Sequence, residues 1–297
     1  MRLRNILNEL KIYDVELINE QEFDTLGLAI TNIDKDICTF IDNEKYIDSL
    51  TDSVSMIITN KDISKKIKNR GICITNNPRI LFFEIHNFLK NNSEYVRIKF
   101  DTIIGNNCSI SDKSFIAKNN VIIGNNVTIE EFVSIKENTS IGDNSIIRAG
   151  SIIGGEGFEF KNLGESIIGV QHLGGVILGN NVEIQYNSCV DKAVYPWDDT
   201  IIGDYVKVDN LVHIAHSVKV NKNVMIVALS GVGGRTIIDS NTWIGFSTTL
   251  KNGIYVGKNA RVNMGAVVTT NVSEDQAVTG NFAIEHSKFL KHLKSIR

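Results

Sequence analysis

The chain has 297 residues, 42% of them hydrophobic, and a formal net charge of −3 at pH 7. This length allows one large or two modest domains, and the charge argues against non-specific binding to nucleic acid or anionic lipid. No stretch is long and apolar enough to span a bilayer. The four cysteines (Cys38, Cys73, Cys108, Cys189) lack CxxC spacing. They are interpreted as free thiols of a cytoplasmic protein without a metal site.

The N-terminal region, residues 1–98, shows no repeat and alternates short apolar runs with helical stretches. This alternation predicts a small α/β domain. The first ten residues predict an amphipathic helix whose apolar run is too short for a signal peptide. Strands are expected near residues 26–30, 54–58 and 71–75, and helices near 43–50, 61–69 and 79–90. The last helix should have Asn77 at its N-cap and Pro78 in its first turn.

From Ile104 onward the sequence repeats every six residues. In the most regular stretch the residues at this spacing are all aliphatic: Ile202, Val208, Ile214, Val220, Ile226, Val232, Ile238, Ile244, Leu250, Val256 and Val262. Neither a helix nor a simple strand has a period of six. A left-handed parallel β-helix does, because one residue on each of its three flat sides points inward. The sequence therefore predicts a mainly β fold, with a left-handed parallel β-helix of hexapeptide repeats over residues 99–270.

Further predictions follow from the corners, the interruptions and the end of the repeat. Corner glycines such as Gly203, Gly245 and Gly257 follow inward residues, where a small or left-handed residue relieves crowding. Irregular segments at 154–175 and 193–199 interrupt the coils, and a long loop inside a solenoid is more often functional than part of the core. Residues 271–297 are expected to form a capping segment and a short C-terminal helix. The outer faces of such a β-helix need covering, which favours a homotrimer.

Two histidines, His213 and His216, flank the inward residue Ile214. A coil of eighteen residues should bring the side-chain-free backbone of Gly234 next to His216. A neutral imidazole can take a proton from an attacking amine, and a nearby backbone N–H can hold an oxyanion. This pairing predicts acyl transfer with His216 as the base, and His213 is interpreted as structural or substrate-lining. The alternative for each histidine is an ordinary surface or subunit contact.

The sequence contains no Gly-x-Ser-x-Gly elbow that would supply an activated serine. Cys189 lies in a coil beside an inward valine, so it is not a convincing nucleophile either. These observations favour direct transfer from a thioester to an amine over a covalent acyl-enzyme. The glycines at 231–234 lie within the solenoid, without the strand-to-helix setting that a nucleotide-binding loop requires.

Several segments resemble the UDP-3-O-acylglucosamine N-acyltransferases of lipid A biosynthesis. The resemblance is found at residues 37–46, 153–160, 171–184, 191–192, 199–204 and 209–217. It implies that His216 is the general base, that Gly234 is the oxyanion-hole donor and that residues 1–98 bind the nucleotide. By the same resemblance, Phe40, Asn43 and Tyr46 stack on and hydrogen-bond the nucleotide base. The alternative for these three is ordinary domain structure.

Three departures from the family pattern affect the expected substrates. Gly253 stands where the family has a second active-site histidine, and the segment 193–197 is longer by two residues. The C-terminal helical part is short, and residues 280–283 are similar to the closing motif of coenzyme A-dependent sugar acetyltransferases. Together these departures favour transfer of a short acyl group from acyl-CoA to a nucleotide-linked amino sugar of surface glycans, with no tightly bound cofactor. The alternatives are the lipid A N-acyltransferase itself, with an acyl carrier protein as donor, and an inactive trimeric scaffold.

A basic stripe is expected on the C-terminal helix, formed by Lys288, Lys291, Lys294 and Arg297. It could dock an acidic carrier protein, hold the 3′-phosphate of coenzyme A, or simply face solvent.

Overall fold

The computed structural model describes residues 1–280 and 283–295 and contains two compact units. The first unit is assembled from residues 1–100, 156–175 and 193–199, and the second from residues 101–155, 176–192 and the described chain from 200 onward. Both segments that interrupt the repeat are thus part of the first unit.

The first unit is built around a five-stranded sheet. Its strands are β1 Glu16–Ile18, β2 Thr25–Leu26, β3 Ile37–Ile41, β4 Val54–Thr59 and β5 Gly71–Ile74, in the order β1-β5-β4-β3-β2. All neighbours are parallel except β1 and β5. The helices are α1 Leu3–Glu9, α2 Lys61–Ser64 and α3 Pro78–Phe88, with 3₁₀ turns at Glu44–Ser49 and Leu89–Asn91. This arrangement is the α/β architecture that the sequence predicts.

Helix α3 begins at the predicted proline, which has no N–H and a φ already suited to a first turn. Asn77 occupies the N-cap position, but its side chain makes no capping hydrogen bond. Its backbone lies at φ −127° and ψ 70° rather than in the β region typical of a capping residue. Asn77 therefore lies at the predicted N-cap position, but the prediction that its side chain caps the helix is wrong. Leu81, Phe82 and Ile85 are buried on the core side of the helix.

The interrupting segments help to form the hydrophobic core of the first unit. Val170, Val194 and Tyr195 are buried there. The Phe82 and Tyr195 rings lie 6.3 Å apart between centroids. The Trp197 indole N–H donates to the Leu26 carbonyl over 2.8 Å. The expectation that such a segment would not serve a core is thus wrong, because these residues are buried in the core of the first unit.

The longer segment contains a short hairpin, in which Phe160–Asn162 pairs antiparallel with Ile167–Gly169. Lys161 in this hairpin is buried, pairs with Glu159 and lies 4.2 Å from the centroid of the Phe83 ring. An aromatic face and a carboxylate together offset the cost of removing an ammonium group from water.

His86 of α3 is the buried titratable group that anchors this segment. Its Nε2–H donates to the Gln171 carbonyl, and its Nδ1 accepts from the Tyr95 hydroxyl, both over 2.8 Å. Burial lowers the pKa of His86 to about 4, against the opposing effect of the Gln171 hydrogen bond. The folded state therefore holds His86 neutral, while the unfolded chain begins to protonate it near pH 6.5.

We expect the first unit to lose stability as the pH falls from 6.5 to about 4, because the unfolded chain then binds the extra proton. The slope attributable to His86 should approach about 1.4 kcal/mol per pH unit. The measurement is urea unfolding of a Trp243→Phe variant, in which Trp197 reports on the first unit. Introducing His86→Gln into this background should flatten the slope, and an unchanged slope would contradict the assignment.

The second unit is a three-sided parallel β-helix with one sheet on each side. Within the described residues, the first face has nine strands: Ser109–Ile110, Thr128–Ile129, Ile146–Ile147, Glu183–Ile184, Lys207–Val208, Met225–Ile226, Trp243–Ile244, Arg261–Val262 and Ala277–Val278. The second face has eight: Phe115–Ile116, Ser134–Ile135, Ile152–Gly155, Cys189–Asp191, His213–Ile214, Gly231–Val232, Thr249–Leu250 and Val267–Val268. The third also has eight: Ile103–Ile104, Val121–Ile123, Thr139–Ile141, Gly175–Leu178, Asp199–Ile202, Lys219–Val220, Ile237–Ile238 and Tyr255–Val256.

The core of this unit confirms the mainly β class and the hexapeptide β-helix. All eleven aliphatic residues of the regular stretch are buried in one cluster. Strand pairs such as Val220 with Ile238 are eighteen positions apart, as the repeat predicts. The ladder continues beyond residue 270 to Ala277–Val278.

Glycine and asparagine have different roles at the corners of the β-helix, whereas the sequence predicts one role for the corner glycines. Gly203 and Gly245 do not have positive φ; an added Cβ would instead come within 2.7–2.9 Å of the backbone of the next coil. The left-handed conformation is carried largely by asparagines, and Asn223 and Asn241 have φ of 60° and 62°. Asn223 donates to Asn241 over 3.2 Å and so continues a side-chain ladder along the corner. Glycine therefore permits close approach, while asparagine supplies the turn.

Helix α4, His286–Ser295, is exposed along most of its length, including Lys288, Lys291 and Lys294. Arg297 and the two central residues of the 280–283 motif lie outside the described residues. Nowhere in the described ranges does the structure contain a helix that is both long and apolar enough to cross a membrane.

Candidate functional site

His216 lies at a corner of the β-helix, directly against Gly234 of the next coil. Only 5% of His216 is exposed. A Cβ placed on Gly234 would be 2.7 Å from His216 Nε2 and 2.8 Å from its Cε1. The Arg235 N–H donates to the His216 carbonyl over 3.0 Å, which aligns the two corners. The structure therefore brings together the imidazole and the glycine backbone that the eighteen-residue spacing predicts.

The Gly234 carbonyl is held by the coil that follows. The Gly253 N–H donates to the Gly234 carbonyl over 2.9 Å. Gly253 has a φ of 72°, and a Cβ built on it would meet no atom within 4 Å. A side chain is thus missing from the corner position next to Gly234, and the space around it is open. This geometry leaves room for a reacting group near the His216 imidazole.

His213 lies on the second face, three residues before His216. Its Nε2 is 2.8 Å from Asp191 Oδ2. The His213 side chain is 54% exposed and the Asp191 side chain only 10%. The hydrogen bond to Asp191 raises the pKa of His213, although partial burial opposes this effect. The carboxylate also fixes which ring nitrogen is engaged, and so orients the imidazole.

Asp191 also connects to the corner that carries His216. The Thr200 hydroxyl donates to the Asp191 carbonyl over 2.6 Å, and it accepts from the Ser217 N–H over 2.8 Å. Thr200 is fully buried. One aspartate therefore holds His213 through its carboxylate and the residue after His216 through its carbonyl.

A second candidate site is a cavity of about 250 Å³ in the first unit. It is lined by Leu28, Ala29, Ile30, Phe40, Asp42, Tyr46 and Arg79. Phe40 packs on Phe82 and Phe83, with ring centroids 4.9 Å and 5.9 Å apart. Tyr46 is 43% exposed. Two aromatic rings, an acidic group and a cation around a small cavity are suited to a planar polar ligand.

Asn43, the third residue predicted to contact a nucleotide, does not line this cavity. Its Oδ1 accepts from the Lys45 N–H over 3.1 Å and caps the 3₁₀ turn that carries Tyr46. In the structure Asn43 therefore positions the residue beside it, and its amide nitrogen is the group left to reach a ligand.

The sequence alone indicates no role for Asp191 or Arg79. Cys189 and His213 pair on adjacent strands although they are 24 positions apart. The segment 193–199 lies between them and disrupts the eighteen-residue rule. The separation of 24 exceeds a coil of eighteen residues by six, and allowing for six inserted residues would have predicted that the strand of Asp191 pairs with that of His213. Arg79 is an exposed residue of a helix, and no sequence signal distinguishes it from other surface arginines.

Parts of the chain are similar to known hexapeptide-repeat proteins. A model of the bacterial transferase hexapeptide (six repeats) matches residues 120–155. The UDP-3-O-acylglucosamine N-acyltransferase of Bordetella parapertussis is 33% identical over 152 residues, which cover 50% of this chain and 41% of that protein. The enzyme of the same name from Delftia acidovorans is 30% identical over 147 residues, covering 49% and 43%. The matched region thus spans less than half of these relatives.

Solved structures show the same fold. A UDP-N-acetylglucosamine acyltransferase from Campylobacter jejuni superposes with a TM-score of 0.54 at 22% identity, over 61% of this chain and 68% of that one. The corresponding protein from Bacteroides fragilis gives 0.52 at 24% identity, over 60% and 66%. The chain is thus similar to hexapeptide-repeat acyltransferases in its six-residue repeat, in the family model that matches residues 120–155 and in the relatives that match about half of it.

Proposed function

We propose that the protein is an N-acyltransferase that moves an acyl group from a pantetheine thioester to the amino group of a nucleotide-linked sugar. The observation that carries the proposal is the contact between the His216 imidazole and Gly234 at a corner of the β-helix. A histidine beside a side-chain-free backbone, in a sequence without a Gly-x-Ser-x-Gly elbow, suits direct attack by an amine. Among possible acceptors, the names of the relatives favour a UDP-3-O-acylglucosamine.

In the proposed reaction the sugar amine attacks the thioester carbonyl, and His216 accepts a proton from the nitrogen. The developing oxyanion is held by the Gly234 N–H, and the carbonyl of the same peptide, that of Gly233, accepts from the Thr236 N–H. The amide bond forms as the carbon–sulfur bond breaks, and the thiol leaves. The cavity around Phe40 and Tyr46 binds the nucleotide base.

The donor is tested by comparing acetyl-CoA with a long hydroxyacyl chain on acyl carrier protein, each with UDP-3-O-acylglucosamine or another UDP-linked amino sugar. Mass spectrometry of the sugar product identifies an amide. The departures at Gly253 and at the short C-terminal helix favour acetyl-CoA, whereas the relatives' names favour the acylated glucosamine as acceptor. A carrier-bound donor would be revealed by activity that falls steeply with salt and is lost when residues 285–297 are removed. Failure of every donor and acceptor pair to give an amide would overturn the proposal.

Replacing Phe40 with alanine should weaken binding of UDP by about 10–100-fold, since stacking on a base contributes about 1–3 kcal/mol. Because Phe40 also packs on Phe82, the variant Tyr46→Ala provides a second test with little cost to the core. Calorimetric titration with UDP measures both effects. The control is Tyr13→Ala, which removes a tyrosine exposed by 73% elsewhere in the first unit. Unchanged UDP binding in both cavity variants would place the nucleotide elsewhere.

We also propose a homotrimer. The third face of the β-helix exposes aliphatic side chains at intervals, with Ile122, Ile177 and Ile237 each between 37% and 41% exposed, while Ser140 and Lys219 occupy strand positions paired with them. Exposed aliphatic side chains on a flat sheet suit contact with further copies of the chain. Sedimentation equilibrium measures the mass directly, and a monomer at micromolar concentration would contradict the proposal.

A further inference from the structure

The proposed reaction leaves one proton unassigned. His216 takes a proton from the amine, yet the sulfur departs as a thiolate that must also be neutralised. A thiol has a pKa near 8.5, so a donor that is protonated at neutral pH would assist its departure. The search for such a donor leads to the pair of Asp191 and His213 on the second face.

We propose that Asp191 and His213 form a second proton-handling pair, in which His213 donates a proton to the departing thiolate sulfur. This inference rests on the proposed acyl transfer and adds a catalytic residue to it. His213 is the donor, and Asp191 is a positioning residue that acts through His213.

The geometry leaves one ring nitrogen of His213 available. Nε2 is held by Asp191 Oδ2 at 2.8 Å, and Nδ1 has no hydrogen-bond partner within the described parts of the chain. More than half of the His213 side chain is exposed, while the carboxylate behind it is almost covered. A shielded carboxylate behind an exposed imidazole can orient the ring and stabilise its charged form.

The neighbouring groups support a protonated His213. The hydrogen bond to Asp191 raises the pKa of this imidazole. Cys189 is its ladder partner on one side, and burial together with Asp191 raises the pKa of that thiol, so it remains neutral. Gly231 is the ladder partner on the other side and carries no charge. The Asp191 carboxylate is thus the charged group that faces His213 on this ladder.

The two histidines are also mechanically linked. The Asp191 carbonyl accepts from Thr200, whose hydroxyl accepts from the Ser217 N–H next to His216. A shift of Asp191 would therefore disturb both His213 and the His216 corner. This common support is suited to two groups that act on opposite ends of one tetrahedral intermediate.

The proton balance of the step is complete. The nitrogen–carbon bond forms and the carbon–sulfur bond breaks, with its electron pair remaining on sulfur. One proton passes from nitrogen to His216, and another passes from His213 to sulfur. The products are an amide and a free thiol, and the two imidazoles return to their starting states by exchanging a proton with water. Asp191 remains a carboxylate throughout.

The first test compares two donors that differ in leaving group, an alkyl thioester (acetyl-CoA) and an aryl thioester of thiophenol, with UDP-linked amino sugar as acceptor. The variant His213→Gln should lose about 10²-fold in kcat with the alkyl thioester, the lower end of the range for general acid catalysis. With the aryl thioester its kcat should stay within about threefold of wild type, because the more acidic aryl thiol leaves without a proton. Thr249→Ala, two strands along the same face, serves as the control and should affect neither donor.

The second test concerns the hydrogen bond between His213 and Asp191, and its main measurement does not require turnover. Titration of the His213 ring by NMR should give a lower pKa in Asp191→Asn than in the wild-type protein, with the fold unchanged by circular dichroism. The alkaline limb of kcat with acetyl-CoA should shift in the same direction. An unchanged His213 titration overturns the pairing with Asp191 in solution.

The outcomes separate the two proposals. Wild-type turnover, combined with an equal loss for both thioesters in His213→Gln, overturns the proton-donor role and leaves the acyl transfer standing. Absence of wild-type turnover with every donor and acceptor overturns the acyl transfer and this step with it.

Discussion

Replacing His216 with alanine is expected to lower kcat by about 10²–10⁴ while the affinity for the nucleotide sugar changes little. The imidazole is almost fully buried and lies against Gly234. Its removal deletes the group that we propose accepts the amine proton and leaves the glycine corner in place. Steady-state kinetics together with calorimetry distinguish this loss from a defect in binding.

Three further measurements strengthen the test of His216. The variant His286→Ala removes an exposed histidine of α4 and should keep full activity. Added imidazole should partly restore the His216→Ala variant, since it can occupy the space left by the ring. The acid limb of the wild-type pH–rate profile should disappear in the variant. Activity above about a tenth of wild type would show that proton removal occurs elsewhere.

Replacing Gly234 with alanine should lower kcat by about 10² or more in a protein that remains folded. The new Cβ would lie 2.7 Å from His216 Nε2, so the imidazole has to move. The φ of Gly234 is not in the left-handed region, so the backbone itself tolerates alanine. A displacement of about 1 Å in a catalytic group is enough to cost about 10²-fold in rate.

The matched control for this variant is Gly231→Ala, three residues earlier on the same coil. A Cβ there meets no atom within 4 Å and no left-handed φ is involved, so activity and stability should be unchanged. The double variant His216→Ala/Gly234→Ala shows how alanine at position 234 lowers the rate. If alanine at 234 acts by displacing the imidazole, the double variant should be no slower than His216→Ala alone. Additive losses would instead assign a separate role to the Gly234 backbone.

The sequence predicts the β-helix well because its period is set by one inward residue per side. Ile202 and Val262 mark a stretch in which no insertion disturbs that count, and the burial of every aliphatic residue at this spacing follows. The first unit is harder to predict, because its core is completed by residues far along the chain. The sequence places Tyr195 in a segment that interrupts the repeat, yet the residue is buried beside Phe82. Nothing in the local sequence indicates which distant strand or helix will cover it.

The same contrast applies to the candidate site. His216 and Gly234 are separated by one uninterrupted coil, so spacing alone predicts their contact. His213 and Asp191 are separated by the segment 193–199, and their contact follows only from the folded register. Asn43 has the polarity of a ligand group but is used as a cap, which a sequence pattern does not distinguish from binding.

The discontinuous first unit has a consequence for synthesis on the ribosome. Its sheet and α3 are complete once residue 100 has emerged, but Tyr195 and Trp197 follow almost a hundred residues later. At about 5–20 residues per second, the nascent chain spends roughly 5–20 s with that part of the core uncovered. During this interval the coils of residues 101–155 and 176–192 can already stack on one another. The nascent protein would thus finish its first unit only after much of the β-helix has formed, and until then the side of Phe82 that Tyr195 covers stays exposed.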